Sequence, residues 1–145
     1  MKVSPDGRWF FVANQGLSGV SVINPRSMRQ VGFLRTGAGA HGFAVSRDGR
    51  LLYLSNRLAG TISVISFRTR SVVGTWHVGG TPDMLQVSPD GKQLWMSNRF
   101  GNTVAVVSTA TGKVIEEIMV GRGPHGLAYF PQPGRFSIGH NGVYR

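Results

Sequence analysis

The sequence predicts an all-β fold, a β-propeller, on three observations: a repeat without gaps, four short strand-like runs in each copy, and turn residues between those runs. The repeat is clearest in Val3–Gly7, which returns 42 residues later as Val45–Gly49 and again as Val87–Gly91. A period of about 40–45 residues matches one four-stranded propeller blade, although helical arrays share that range. The chemistry of the runs therefore has to decide between the two architectures.

Four runs of β-branched, aromatic and aliphatic residues fill the second copy and predict strands A to D of one blade. They lie near His41–Ser46, Leu51–Asn56, Thr61–Phe67 and Ser71–Val78. Asp48 and Gly49 separate the first two runs, and this pair predicts a hairpin because glycine accepts a positive φ. No segment places apolar residues at helical spacing over three turns. The repeat is therefore a sheet and not a helix pair.

The repeat divides the chain into about three four-stranded blades plus the first strand of another. The predicted blades cover residues 1–37, 40–79 and 82–121, strand A of the next blade covers 124–130, and an irregular tail covers 131–145. Propellers close with about four to eight blades, so these blades predict an incomplete ring. The chain is then either part of a larger propeller or a half-propeller that assembles with copies of itself.

An open arc of blades exposes the flanks of its first and last sheets. Blades pack face to face, so each exposed flank is predicted to be an apolar patch of the kind that marks an interface. We therefore expect the chain to self-associate, or to bind remaining propeller blades, and not to persist as a monomer.

Composition excludes several kinds of site and favours one kind of partner. The 145 residues contain no cysteine, which excludes disulfides, thiolate metal sites and cysteine nucleophiles. No apolar run reaches the length of about 18 residues that a membrane span needs, and the amino terminus carries no signal peptide. The 16 Lys and Arg outnumber the 6 Asp and Glu, for a net charge of +10. This balance favours anionic small molecules or polyanions as partners.

Several motifs resemble the YVTN-type β-propeller repeats. These motifs are an aromatic-x-x-Asn box at Phe11–Asn14, Tyr53–Asn56 and Trp95–Asn98, a Val-Gly-x-x-Pro link at Val120–Pro124, and the Ser-Pro-Asp-Gly turn. The resemblance runs from Val3 to Phe130 and implies a bacterial exported or surface-associated propeller, usually with seven blades. It implies a periplasmic or extracellular location for the full-length parent. Related propellers hold heme or copper redox sites, or hydrolyse lactones.

The repeat register groups five charged or ionisable residues at one rim of the propeller. His41, Asp83 and His125 share one repeat position at the start of strand A, beside the central channel. Arg57 and Arg99 follow the aromatic-x-x-Asn box and lie at the same rim. Guanidinium groups offer a planar fork of donors, so the group predicts a site for an anionic ligand at the channel mouth. The alternative is that these residues cap strands and contact only water.

The three strand A positions also raise the question of a metal, since two imidazoles and a carboxylate are metal ligands. Ligands must approach one ion to about 2 Å, and residues from successive blades stand further apart. We therefore predict no metal and no cofactor. No catalytic residue is predicted either: Glu116 and Glu117 point to opposite faces of a strand, and no phosphate loop, dinucleotide fingerprint or nucleophile elbow occurs.

The preferred function is a non-enzymatic binding or scaffold module with an anionic-ligand face. The alternative, which the resemblance implies, is a fragment of a propeller enzyme or redox domain, with lactone hydrolysis or heme or copper binding, whose site other blades complete. A third hypothesis is polyanion binding on the opposite rim, which we call the turn face. Its predicted A–B and C–D turns carry Arg8, Arg26, Arg29, Arg50, Arg68, Arg70, Lys92 and Lys113. Nucleic acid is not expected, because stacking aromatics are not interleaved there.

Overall fold

Three antiparallel sheets of four strands each make up the fold, in a computed structural model that describes residues 1–129. The strands are β1 (Lys2–Val3), β2 (Phe10–Asn14), β3 (Gly19–Asn24), β4 (Arg29–Arg35), β5 (Ala40–Val45), β6 (Leu51–Asn56), β7 (Thr61–Ser66), β8 (Ser71–His77), β9 (Pro82–Val87), β10 (Gln93–Asn98), β11 (Thr103–Ser108) and β12 (Val114–Met119). Each sheet takes four consecutive strands in chain order. The predicted all-β fold is confirmed, and no helix within residues 1–129 could cross a membrane.

The strands and their register shifts repeat along the chain with the same 42-residue period as the sequence. The strands predicted for the second repeat agree with β5 to β8 to within one residue at each end. In each sheet the pairing of strands C and D slips register at the same repeat position, after Val22, Val64 and Val106. A bulge that recurs at 42-residue spacing shows that the three sheets are copies of one blade.

The A–B turns use their aspartates for local structure. In the second blade, the Ser46 hydroxyl donates to Asp48 Oδ1 at 2.6 Å, and the Arg50 N–H donates to the same oxygen at 3.0 Å. The same two bonds recur around Asp6 and Asp90. The serine hydroxyl is the main reason why the pKa of each of these carboxyls lies below its usual value. These three carboxylates are therefore turn residues.

Side chains alternate along each strand, so the middle sheet has two apolar faces and packs on both neighbours. The core between the first and second sheets contains Phe11, Val20, Val22, Phe43, Leu52, Leu54 and Ile65. The core between the second and third sheets contains Tyr53, Ile62, Val64, Leu85, Leu94, Met96 and Val107. Each such side chain contributes about 1.5–3 kcal/mol by leaving water, so the two interfaces hold the blades together.

The outer flanks of the first and third sheets have no neighbouring sheet within residues 1–129. Phe10, Val12 and Ile23 of the first sheet are only partly buried, whereas the equivalent side chains of the middle sheet are fully buried. Trp95 and Val104 of the third sheet are likewise partly buried. Both open flanks are apolar, as the sequence predicted.

Residues 124–129 correct one part of the strand prediction. The sequence predicts strand A of a further blade over 124–130, but residues 124–129 form no strand. A strand A needs a strand B as its partner, and no such strand follows within the described residues. The segment still follows the path of an innermost strand, since the His125 carbonyl accepts a hydrogen bond from Ser97 Oγ at 2.9 Å. Residue 130 and the predicted tail, 131–145, lie outside the described residues.

Candidate functional site

In the second and third blades, a serine of strand B fixes the start of the innermost segment of the next repeat. Ser55 Oγ, on β6, donates to the carbonyl oxygen of Asp83 at 2.6 Å and accepts from the Gly42 N–H at 2.7 Å. Ser97, on β10, makes the equivalent bond to the carbonyl of His125. The hydroxyl thus ties strand B of one blade to strand A of the next. This places the strand A residues at equivalent points of the rim.

Sequence reasoning did not assign a role to these two serines. The available signal was their 42-residue recurrence immediately before the box asparagine, at Ser55 and Ser97, where the first repeat has Ala13. The box asparagine of the third blade has a structural role: Asn98 Oδ1 accepts from the Thr81 N–H at 2.7 Å. The box therefore builds the loops and links the blades.

The structure brings all five predicted rim residues together around the carboxylate of Asp83. This side chain is completely buried. Its Oδ1 lies 2.5 Å from Arg57 Nη2 and 2.8 Å from His41 Nε2. Its Oδ2 lies 2.8 Å from His125 Nδ1 and 3.9 Å from Arg99 Nη1. Asp83 is therefore the centre of the cluster and the residue that aligns the other four.

His41 is held between a cation and an anion. Its Nε2 lies 2.5 Å from Arg57 Nη2, which can only donate, and 2.8 Å from Asp83 Oδ1, which can only accept when ionised. The bond from Arg57 requires an unprotonated Nε2, whereas the bond to Asp83 requires a protonated one. Burial of the ring, followed by the positive charge of Arg57, lowers the pKa of His41. The neutral ring is therefore the favoured form.

Acidification is expected to weaken the fold through His41. The folded pKa lies below the unfolded value of 6.5, so the contribution of His41 is fully present above pH 6.5 and is lost as the pH falls below it. Urea unfolding at about pH 7.5 and about pH 5 should show a larger loss of stability for the wild type than for His41→Gln. An identical loss in both proteins would show that the ring does not carry this dependence.

The solvent side of the cluster consists of His125 and Arg99. His125 donates from Nδ1 to Asp83, which leaves Nε2 free of that bond, and half of its side chain is exposed. Arg99 is 38% exposed, whereas Arg57 is 13% exposed. The His41 and His125 rings stack with centroids 6.2 Å apart. A ligand that approaches the rim therefore meets Arg99 and the two imidazoles, with Arg57 and Asp83 beneath them.

The cluster also has the donor set of a cation site. One ligand atom each from His41, Asp83 and His125 lies within 4.8 Å of the others. However, Arg57 Nη2 is 2.5 Å from both His41 Nε2 and Asp83 Oδ1. A cation that used those two atoms would have to displace a guanidinium. The expectation of no metal remains a prediction, and the position of Arg57 supports it.

Among residues 1–129, the turn face carries most of the exposed basic residues. The carboxylates on this face already accept turn hydrogen bonds, and the Arg70 guanidinium lies 4.4 Å from the centre of the Trp9 ring. That arginine therefore packs on a neighbouring blade as well as facing solvent. Polyanion binding on this face remains a prediction.

Three successive four-stranded sheets are joined through apolar faces, and strand A of the second sheet lies against strand A of the third. This arrangement defines the class of protein: a β-propeller. The chain belongs to the YNCE-like beta-propeller family, whose model matches residues 3–133. A search of curated proteins found no significant match to the chain.

Solved propellers resemble the chain over most of its length. Hydrazine synthase from Kuenenia stuttgartiensis has 26% identity and a TM-score of 0.75, over 84% of this chain and 36% of that one. A putative 6-phosphogluconolactonase from Bacteroides uniformis has 21% identity and a TM-score of 0.76, over 93% and 44%. The dihydro-heme d1 dehydrogenase NirN has 20% identity and a TM-score of 0.65, over 90% and 26%. The chain thus spans less than half the length of each, and the last two show the fold alone.

Proposed function

We propose that this propeller module binds an anionic small molecule at the channel mouth and does not itself catalyse a reaction. The observation that carries the proposal is the convergence of two guanidinium groups and two imidazoles on one buried carboxylate. Even with both imidazoles neutral, this cluster has one net positive charge. An oxyanion at the rim would meet more donors than acceptors.

The cluster divides into support and contact residues. Asp83 and Arg57 are the support, because their mutual bond is buried and because Asp83 also holds both histidines. Arg99 and His125 are the contact residues, because they are the most exposed members. Arg99 lies 3.9 Å from Asp83, so its guanidinium keeps donors for a ligand.

None of the carboxylates is a free general base at the rim, which supports the non-enzymatic interpretation. Both oxygens of Asp83 already have donor partners, and Asp6, Asp48 and Asp90 belong to turns. The two remaining carboxylates of the sequence lie on β12, an outer strand. An exported location, periplasmic or extracellular, is part of the same proposal and is supported by the resemblance to exported propellers.

Replacing Arg99 by alanine is expected to weaken anion binding about 10-fold or more, which is the loss of one charge-assisted hydrogen bond. Isothermal titration with citrate and with inorganic phosphate, at low salt, measures the change. Arg26→Ala, on the turn face, is the matched control, since it removes the same charge at a distance from the rim. Equal affinities for Arg99→Ala and wild type, or an equal loss in both variants, would contradict the proposal.

A second candidate function is that of a fragment of an enzyme or redox domain. In that case, blades outside this chain would complete the site. The ligand-like triad of His41, Asp83 and His125 favours it, as does the similarity to hydrazine synthase. Elemental analysis and an absorption spectrum of the purified protein separate the two candidates. Stoichiometric metal or a heme band would favour the redox function, and their absence together with citrate binding would favour the anion site.

A further inference from the structure

We infer that the anion bound at the channel mouth is amphiphilic, a monocarboxylate with an alkyl chain, and that the chain lies across the exposed ring of Phe100. This inference rests on the proposed anion site and names the chemical class of its ligand. The observation that carries it is an apolar side chain beside the solvent-facing guanidinium. The Cζ atom of Arg99 lies 5.8 Å from the centre of the Phe100 ring, and Phe100 is 70% exposed.

An exposed apolar residue occupies the same repeat position in the middle blade. Leu58 stands 42 residues before Phe100 and is also 70% exposed. Each of the two directly follows an arginine of the cluster, Arg57 or Arg99. The middle blade has a sheet packed on either face, so Leu58 is exposed although both neighbouring blades are present. The exposure of Phe100 is therefore a property of this loop position and does not depend on the open flank of the third sheet.

Hydrogen bonds to one threonine hold the loop that carries Phe100. The Phe100 N–H donates to Thr81 Oγ1 at 2.9 Å, and the Arg99 N–H donates to the Thr81 carbonyl at 3.2 Å. The Thr81 hydroxyl in turn donates to Asn98 Oδ1 at 3.0 Å. Thr81 immediately precedes β9, which carries Asp83, so the ring and the carboxylate are positioned by the same stretch of backbone. A ligand that covers this loop therefore has little chain to order.

The charges of the cluster fit a single carboxylate. The Arg57 guanidinium contacts both Asp83 and His41. Arg99 lies 3.9 Å from Asp83 and keeps donors toward solvent. One carboxylate, held by the fork of Arg99, would neutralise the net positive charge of the cluster. Further charged groups of a ligand would lie against the Phe100 ring, where they would lose water without gaining a partner. The site therefore favours a ligand with one charge and an apolar remainder.

The dependence of affinity on chain length measures the apolar contact. A fully buried methylene tightens binding by about 4-fold, and a methylene that lies on an exposed ring buries about half of its surface, so about 2-fold is expected. Hexanoate has four methylenes more than acetate and should therefore bind about 15-fold more tightly. Acetate supplies the carboxylate without the chain and is the reference ligand.

Nuclear magnetic resonance titrations with acetate, butanoate and hexanoate, near neutral pH and at constant ionic strength, give the dissociation constants. The affinity of the wild type should rise with chain length, and Phe100→Ser should reduce the ratio of hexanoate to acetate affinity from about 15 to about 2 or less. Leu17→Ser is the matched control and should leave the ratio at about 15. Leu17 is 63% exposed on the corresponding loop of the first blade, where Gln15 stands in place of the arginine.

The same titrations of Arg99→Ala separate the rim from the open apolar flank. The outer face of the third sheet has a cavity of about 440 Å³, lined by residues that include Trp95 and Leu127, where an alkyl chain would also fit. Binding at the rim predicts that Arg99→Ala weakens acetate and hexanoate by the same factor, about 10-fold or more, because both share the carboxylate. Hexanoate binding that Arg99→Ala leaves unchanged would place the chain at that cavity and overturn the inference.

The other contrary outcomes distinguish this inference from the proposed function. Equal wild-type affinities for acetate and hexanoate, both weakened by Arg99→Ala, would overturn the apolar contact and leave the anion site in place. A chain-length dependence that Phe100→Ser preserves would show that the chain lies elsewhere, with the same consequence. A failure of acetate, hexanoate and citrate to bind at all would overturn the anion site together with the inference.

Discussion

Replacing Gly42 by alanine is expected to lower the free energy of unfolding by about 3 kcal/mol. The new Cβ would overlap the backbone carbonyl oxygen of Asp83 and lie 3.1 Å from Ser55 Oγ. The clash is between the new Cβ on β5 and the backbone of β9, so no side-chain rotation relieves it. One strand has to move, and Asp83 would move away from its partners with β9.

Urea unfolding measures the loss, and Gly74→Ala is the matched control. A Cβ at Gly74, on β8, meets only the Val64 side chain at 3.8 Å, an ordinary contact. That variant should be as stable as the wild type or slightly more stable, because alanine loses less conformational entropy on folding than glycine does. If both variants had the same stability, β5 and β9 could not approach each other as closely as the structure shows.

Replacing Asp83 by asparagine is expected to lower the free energy of unfolding by about 3 kcal/mol at neutral pH. The change keeps the shape of the side chain but leaves the guanidinium of Arg57, 13% exposed, without its anion. Removing one partner of a buried ion pair costs more than the pair contributes, because the remaining charge stays desolvated. The variant should also lose citrate binding, since Asp83 aligns both histidines.

A double-mutant cycle identifies the cause of that loss. Arg57→Met removes the charge that Asp83→Asn leaves unpaired. The double variant should therefore lose about 2 kcal/mol less unfolding free energy than the two single variants lose together. Asp48→Asn is the control for an acidic residue in a solvated turn, and its cost should stay below about 1 kcal/mol. Additive effects of the Arg57 and Asp83 changes would show that the two side chains do not form a coupled pair.

The 42-residue repeat accounts for most of what could be predicted about the cluster. Because the three blades share one register, His41, Asp83 and His125 had to stand at the same rim, and Arg57 and Arg99 had to follow at strand ends beside them. The repeat register did not predict the distances between these side chains. Spacing along the chain fixes the blade position of a residue but not how closely successive blades approach.

Two other features depended on contacts between blades. The serines of the box, Ser55 and Ser97, have unremarkable sequence surroundings, and their role exists only where the next strand A comes within hydrogen-bond distance. Residues 124–129 have the pattern of a strand, yet they form none, because a β-ladder needs a second strand and a strand-like sequence supplies only one.

The sequence by itself determined the blade, its period, its turns and the apolar flanks, because these follow from side-chain alternation and local turn chemistry. Only the tertiary structure decided that Asp83 is buried at the centre, that Arg57 supports it from within, and that Arg99 and His125 face solvent. Burial and charge pairing depend on the distance between blades. That distance is set by how all the packed side chains fit together, and no single motif encodes it.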